Sequence, residues 1–201
     1  MDEFINEISQ LLNLLSHKAK VLFAALTSER LYPHYVIFEE RNNWGDSQLL
    51  QEALSVIYQY LIDENLITDE EIKDITTRIE LVTPDTEDFD GIVTSFALDA
   101  CTSLCSTLDF IISRNDDDIL DVATYSRDTV YAFVQEKEQF STLDPSGDIQ
   151  TEHDDFMVRE KQRQRALLDK LMKADLKTIT DGLIDGLRDK RPIIDLSLLS
   201  E

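Results

Sequence analysis

The chain has 201 residues, with 19 Lys and Arg against 41 Asp and Glu, and a net charge of −22. So acidic a surface repels nucleic-acid phosphates and anionic membranes, which makes nucleic acid and membrane poor partners and a well-solvated acidic protein the plain expectation. With 42 % hydrophobic residues, five glycines and four prolines, the chain can bury a core, yet lacks the many turns of sandwiches and barrels.

Apolar residues recur at helical spacing almost throughout. Phe4, Ile5, Ile8, Leu11, Leu12 and Leu15 stripe a first helix. A second runs from about Ser16 through Val21, Phe23 and Leu26. Pro33 disfavours helical geometry at Tyr32, so this helix is expected to kink or restart there, with Tyr35, Val36 and Phe38 on a short following helix. The Asn42–Gly45 stretch reads as a loop, and Asp46 can cap the next helix, which carries Leu49, Leu50, Ala53, Leu54, Ile57, Tyr60 and Leu61. Thr68 with Glu71 forms a capping-box pattern. It opens a helix that ends before Pro84.

An acidic stretch to Gly91 leads into a long helix striped by Ala97, Cys101, Leu104, Leu108 and Ile111. Its small residues, Ala97, Ala100, Cys101 and Cys105, invite a close neighbour. Asn115 to Asp118 stop it and cap a helix striped by Ile119, Val122, Ala123, Val130, Phe133 and Val134. Pro145-Ser146-Gly147 reads as a turn. A last helical region runs from about Ile149 to Leu187, broken near Ala174. The tail from 192 to 201 is apolar (Ile193, Ile194, Leu196, Leu198, Leu199), so it should pack on the body or on a second copy. The expectation for residues 1–201 is one all-α, antiparallel bundle of about seven to eight helices.

Two cysteines four residues apart and an acidic N-terminus argue against a disulfide-built secreted protein and a signal peptide. No uninterrupted apolar run reaches the roughly 18 residues of a membrane span. The cytoplasm is the expected compartment.

Three stretches carry a resemblance. Glu29-Arg30-Leu31-Tyr32-Pro33-His34-Tyr35 with Phe38, then Trp44-Gly45-Asp46-Ser47-Gln48, then Asp88-Phe89-Asp90 with Asp99-Ala100-Cys101 stand in order. They resemble the signature of the YjaG-like family of bacterial proteins, a domain family of unknown function (number 416). The resemblance covers about Ser16 to the last helix. It implies an all-helical fold of this size and supplies neither a reaction nor catalytic residues. Cys105 has no counterpart in the pattern, which argues against a paired-thiol role.

The residues that can carry chemistry form one candidate set: Glu29, Arg30, Tyr32, Tyr35, Trp44, Asp46, Asp88, Asp90 and Asp99. Arg30 and Asp99 stand among apolar neighbours, where a charge must be paired. Asp99 is therefore expected to face the interior and pair with Arg30 or a Tyr hydroxyl, either as a structural tie or as part of a pocket. Tyr32, Tyr35, Phe38 and Trp44 either line a pocket or plug the bundle end.

No metal or cofactor is expected. Placing Gly91 at the sixth position of a calcium loop puts Thr86 first and Ala97 twelfth, where carboxylates belong. Asp85, Glu87 or Asp88 is instead expected to cap the following helix. The run Asp116 to Asp118 has the same capping role open to it, with a loosely held divalent cation as the alternative. His17, His34 and His153 fall in no ligand spacing. Cys101 and Cys105 share a helix face and read as small core residues. No phosphate-cradling loop or nucleophile elbow is present.

Residues 159–191 hold ten basic and six acidic side chains, against nine and 33 before them. Arg159, Lys161, Arg163 and Arg165 are read as a face turned toward the acidic body or a second subunit. The favoured function is a non-enzymatic interaction protein with an unknown protein partner or self-association, for example as a homodimer. A small-molecule-binding protein or enzyme, with its site among the nine residues above, is the alternative. A nucleic-acid factor using the basic cluster is the weakest third.

Overall fold

The computed structural model describes residues 3–140 and 145–199. All of the regular structure among them is helical, in nine α-helices and two short 3-10 turns. The α-helices are α1 (Glu3–Leu12), α2 (His17–Asn42), α3 (Ser47–Ile62), α4 (Asp69–Leu81), α5 (Ile92–Ser113), α6 (Asp116–Glu138), α7 (Pro145–His153), α8 (Asp155–Lys173) and α9 (Asp181–Leu187). The all-α expectation stands, with one or two more segments than foreseen.

Two long helices make the centre. α2 is buried almost all round from Ala19 to Ser28, as a helix enclosed by neighbours must be. It lies along α5, where Ala97, Ala100, Cys101 and Ser103 are buried and small enough to let the two backbones approach. Ser28 and Thr107 face each other across this seam at 3.4 Å. α3, α4, α6 and α8 close round the pair, and α1 rests on α6 and α8. One continuous apolar cluster runs through them, with Phe23, Phe96, Leu104 and Ile57 fully enclosed.

α5 is long and apolar enough, by length and composition, to cross a membrane, and 56 % of its most apolar window is buried inside the fold. Here it is the central core helix, packed on α2, α3, α4 and α6.

Local signals explain the boundaries. Ser16, Asp46, Thr68, Asn115, Asp154 and Thr180 each accept a backbone N–H at a helix start. Thr68 and Glu71 complete a reciprocal capping box. Asn43, Arg114 and Gln139 end α2, α5 and α6 in the left-handed conformation.

Three expectations need correction. α2 does not restart at Pro33 but runs unbroken to Asn42. The proline costs the helix a hydrogen bond, a penalty of about 3 kcal/mol, and the buried contacts of Leu31, His34, Tyr35 and Phe38 on the same helix outweigh it. Pro145 does not mark a turn: it is the first residue of α7, where its missing N–H costs nothing. The final helical region breaks near Ala174 as expected, but it also breaks earlier, at Asp154, which caps α8.

Candidate functional site

The signature residues separate into two clusters at neighbouring levels of α2. The first is an aromatic plug. Tyr35 and Phe38 are fully buried. Phe38 meets Trp44 edge-on at 5.9 Å and Phe89 at 5.2 Å, while Trp44 and Phe89 lie 5.0 Å apart. Tyr35 Oη donates to the Val82 carbonyl at 2.7 Å and accepts from the Asp46 N–H at 3.1 Å. One hydroxyl thus ties together the ends of α4 and the start of α3. Burial pushes its pKa up, so it stays protonated. Gly45 makes the approach possible: with φ +117, a Cβ there would lie 2.7 Å from Tyr35 Oη. Tyr35, Phe38 and Trp44 pack together here with Trp44 at the water-facing edge (37 % exposed), whereas Tyr32 lies apart from them.

The second cluster is a clamp on the chain's C-terminal segment. Arg30 forms a two-pronged ion pair with Glu160 of α8, with both side chains at least 95 % buried. Glu160 also accepts from Ser126 Oγ at 2.7 Å and Gln164 Nε2 at 3.3 Å. A buried carboxylate is tolerable only with such a set of donors. Glu29, the neighbour of Arg30, accepts from Tyr58 Oη at 2.6 Å and from Arg188 Nε at 2.8 Å.

The clamp grips the tail by its backbone. The Ile193 N–H donates to the Arg30 carbonyl at 3.1 Å, next to the Glu29 carbonyl that Pro33 leaves without its helical donor. Arg30 Nε reaches the Arg191 carbonyl at 3.4 Å, and Arg163 Nη1 the Pro192 carbonyl at 3.3 Å. The Ile194 N–H donates to His34 Nε2 at 3.3 Å. Burial, and secondarily the Arg30 charge, lowers the His34 pKa to about 4, so the imidazole stays neutral and keeps Nε2 as an acceptor. Ile193 and Ile194 are buried, and Leu199 is nearly so.

The expected Arg30–Asp99 pair is absent, because the two point to different neighbours. Asp99 faces α6, where Thr129 Oγ1 donates to it at 2.7 Å. Burial raises its pKa to about 7 against that hydrogen bond. The partner of Arg30 is Glu160, which stands in a basic run of the sequence. Its signal was available: Met157, Glu160, Gln164, Leu168 and Leu171 form one helical stripe, and all five are buried. A charge on the inner face demands an opposite charge across from it.

The remaining candidates do not join either cluster as chemical groups. Asp46 is exposed and caps α3 through the Leu49 N–H at 3.0 Å. Asp88 and Asp90 are exposed in the loop before α5. That loop does not cap α5: its N-cap is Gly91, without a side-chain bond, while Asp85 accepts from the Glu87 N–H within the loop. Tyr32 is the exception that borders a cluster: half-buried, it lines an open groove of about 410 Å³ with Glu29 and Arg30 of the clamp and with Pro33, Arg188 and Lys190. Asp116 pairs with Lys20, and Asp118 accepts from Ser113. Among the described residues, no group of three His, Cys, Asp or Glu side chains stands close enough to hold a metal. Burial pushes both cysteine thiols up to about 12, which keeps them protonated and unreactive.

The basic cluster of α8 turns inward. Lys161 pairs with Glu152, Arg165 with Glu7, and Arg163 with Asp189 at 3.4 Å. Arg159 stacks over Phe156 at 4.8 Å.

A further surface feature escaped the sequence. Between α3 and α4 lies a groove of about 550 Å³. Val56, Ile67 and Ile75 form its floor, and Glu52, Glu70, Glu71 and Asp74 its rim. Arg78 bridges from α4 to Glu52 at 2.9 Å.

Comparison with known proteins agrees with this architecture. A crystal structure of a DUF416 family protein from Shewanella baltica superposes with a TM-score of 0.78 at 27 % identity, over 93 % of this chain and 92 % of that one. The chain is 31 % identical to the uncharacterized protein YjaG of Escherichia coli over 49 % of its own length and 50 % of that protein's, so this match spans about half of the relative. It is 26 % identical to an uncharacterized protein of Haemophilus influenzae over 74 % of its length and 78 % of the relative's. The model of the protein family of unknown function DUF416 matches residues 7–195, and the chain belongs to that family.

Proposed function

We propose that the protein is a non-enzymatic, cytoplasmic interaction protein whose α3–α4 groove receives a basic amphipathic helix from a partner protein. The groove itself carries the reading. An apolar floor open to water, rimmed by four carboxylates and one arginine, has the form that lays down the apolar face of a helix and holds its flanking Lys and Arg. What weighs against a reaction centre at the signature is the employment of its polar groups. Arg30 is spent on Glu160, Tyr35 on two backbone groups, Asp99 on Thr129 and Asp46 on a helix cap.

A designed Lys/Leu helical peptide, labelled for fluorescence anisotropy, tests the reading. It should bind saturably, weaken with salt, and lose about tenfold in affinity when Glu70 and Asp74 become Lys. Asp169→Lys with Asp181→Lys, both exposed and away from the groove, is the control for net charge. Equal weakening by this pair and by the groove pair would sink the proposal, since the attraction would then belong to the surface as a whole. Self-association in place of peptide binding, read by sedimentation, would count against it too.

A further inference from the structure

On another part of the molecule, where α2, α8 and α9 meet the tail, a second cleft of about 160 Å³ has the opposite electrostatics. Its floor is apolar: Leu26 is buried, and Leu167 and Leu187 are half-buried. Its walls carry Arg30, Arg163, Lys170 and Arg191, opposed by Asp189 alone. Even with Glu160 counted against Arg30, two positive charges remain in excess, in a chain where acids outnumber bases two to one.

We infer that this cleft is a binding site for a small organic carboxylate with a short apolar body.

Three features of the site lead to that ligand class. The Arg163 Nε–H is buried and lacks a hydrogen-bond partner, with the Asp189 carboxylate 3.4 Å off and shared with Arg191 at 2.8 Å. A buried donor without an acceptor costs about 1–3 kcal/mol, and an incoming carboxylate supplies the acceptor. Burial first, and then repulsion from the adjacent Arg30 charge, pull the Arg163 pKa down to about 10 against the attraction of Asp189 and Glu160. An added anion relieves that repulsion. The floor then selects the rest of the ligand: three leucines offer contact to methylene groups and no partner to hydroxyls. At about 30 Å³ per water, the cleft holds the volume of about five waters, which matches a carboxylate on a chain of three to four carbons.

Butyrate, butylammonium and inorganic phosphate are the probes, titrated at constant ionic strength and followed by heteronuclear NMR. Butyrate should saturate, moving the Arg163 Nε–H resonance together with the methyls of Leu26, Leu167 and Leu187. Lys170→Gln with Arg191→Gln should weaken it about tenfold while leaving the other amide resonances in place. These two side chains lie at the surface, so the fold does not depend on them. Phosphate should bind more weakly, for want of an apolar body. Butylammonium should leave these resonances unmoved. The inference falls if butyrate shifts remain linear without saturation, if phosphate or butylammonium moves the same resonances equally, or if the double variant binds butyrate unchanged. These outcomes are independent of peptide binding at α3–α4, which uses none of the same residues.

Discussion

The aromatic plug and the tail clamp are separated by little more than a turn of α2, yet they are built on opposite principles. In the plug, Tyr35, Phe38, Trp44 and Phe89 interlock, and a single neutral hydroxyl satisfies one carbonyl and one N–H. In the clamp, a buried arginine and carboxylate are held by each other and by Ser126 and Gln164, and the joined segment is gripped through its backbone. Ring packing tolerates the loss of a contact in proportion to the area lost. A buried charge pair fails abruptly, because removing one member strands the other. The clamp should therefore be the more brittle of the two.

The largest expected effect follows from that brittleness. Glu160→Ala leaves Arg30 charged and enclosed, and should cost about 3–5 kcal/mol. In a chain of this length, that corresponds to a Tm lower by roughly 10 °C or more. Replacing both Arg30 and Glu160 with Met should restore most of the loss, since neither charge is then stranded. If Glu160→Ala and the double variant lose equally, the pair's worth lies in shape and not in charge, and the contrast with the plug fails. Tyr35→Phe probes the other side. It keeps the ring but orphans the Val82 carbonyl and the Asp46 N–H, for a loss of about 1–3 kcal/mol by chemical denaturation. A loss as large as that of Glu160→Ala would make the plug as dependent on polar ties as the clamp.

The plug was more legible in the sequence than the clamp, for a physical reason. Aromatic spacing and the Gly45-Asp46 step are local, and local signals survive without knowledge of the fold. The helical stripes and the Thr68–Glu71 capping box were legible on the same ground. The clamp joins Arg30 and His34 to residues 130 to 163 positions further along the chain, and only helix packing decides which charge meets which. Asp99, an acid among small and apolar neighbours, was the partner the sequence suggested for Arg30, yet α5 turns it toward Thr129. The continuity of α2 through Pro33 was hidden in the same way, because the stabilising contacts come from other helices. The α3–α4 groove shows least of all, since its floor and rim are drawn from two helices and the loop between them.

The smallest effect should be one of pH, and it should fall on one region alone. His34 is an acceptor in the clamp, whereas the plug's hydroxyl does not titrate near neutrality. In the unfolded chain its imidazole takes up a proton near pH 6.5, while the enclosed ring resists protonation down to about 4. Between those values the unfolded state binds more protons. The stabilising contribution is therefore complete above about 6.5 and is lost as the pH falls toward 4. Near pH 5.5 the loss is roughly 1 kcal/mol, felt first where the Ile194 N–H needs the lone pair that a proton would occupy. Hydrogen exchange, corrected for its intrinsic rate, should quicken at the Ile193 and Ile194 amides between pH 7 and 5.5, while the Asp46 amide on Tyr35 keeps its protection. His34→Gln retains an acceptor and removes the titration, so it should flatten the response of the tail. Equal quickening at Asp46 would mean that acid loosens the whole bundle through its many carboxylates, and the clamp would then have no pH dependence of its own.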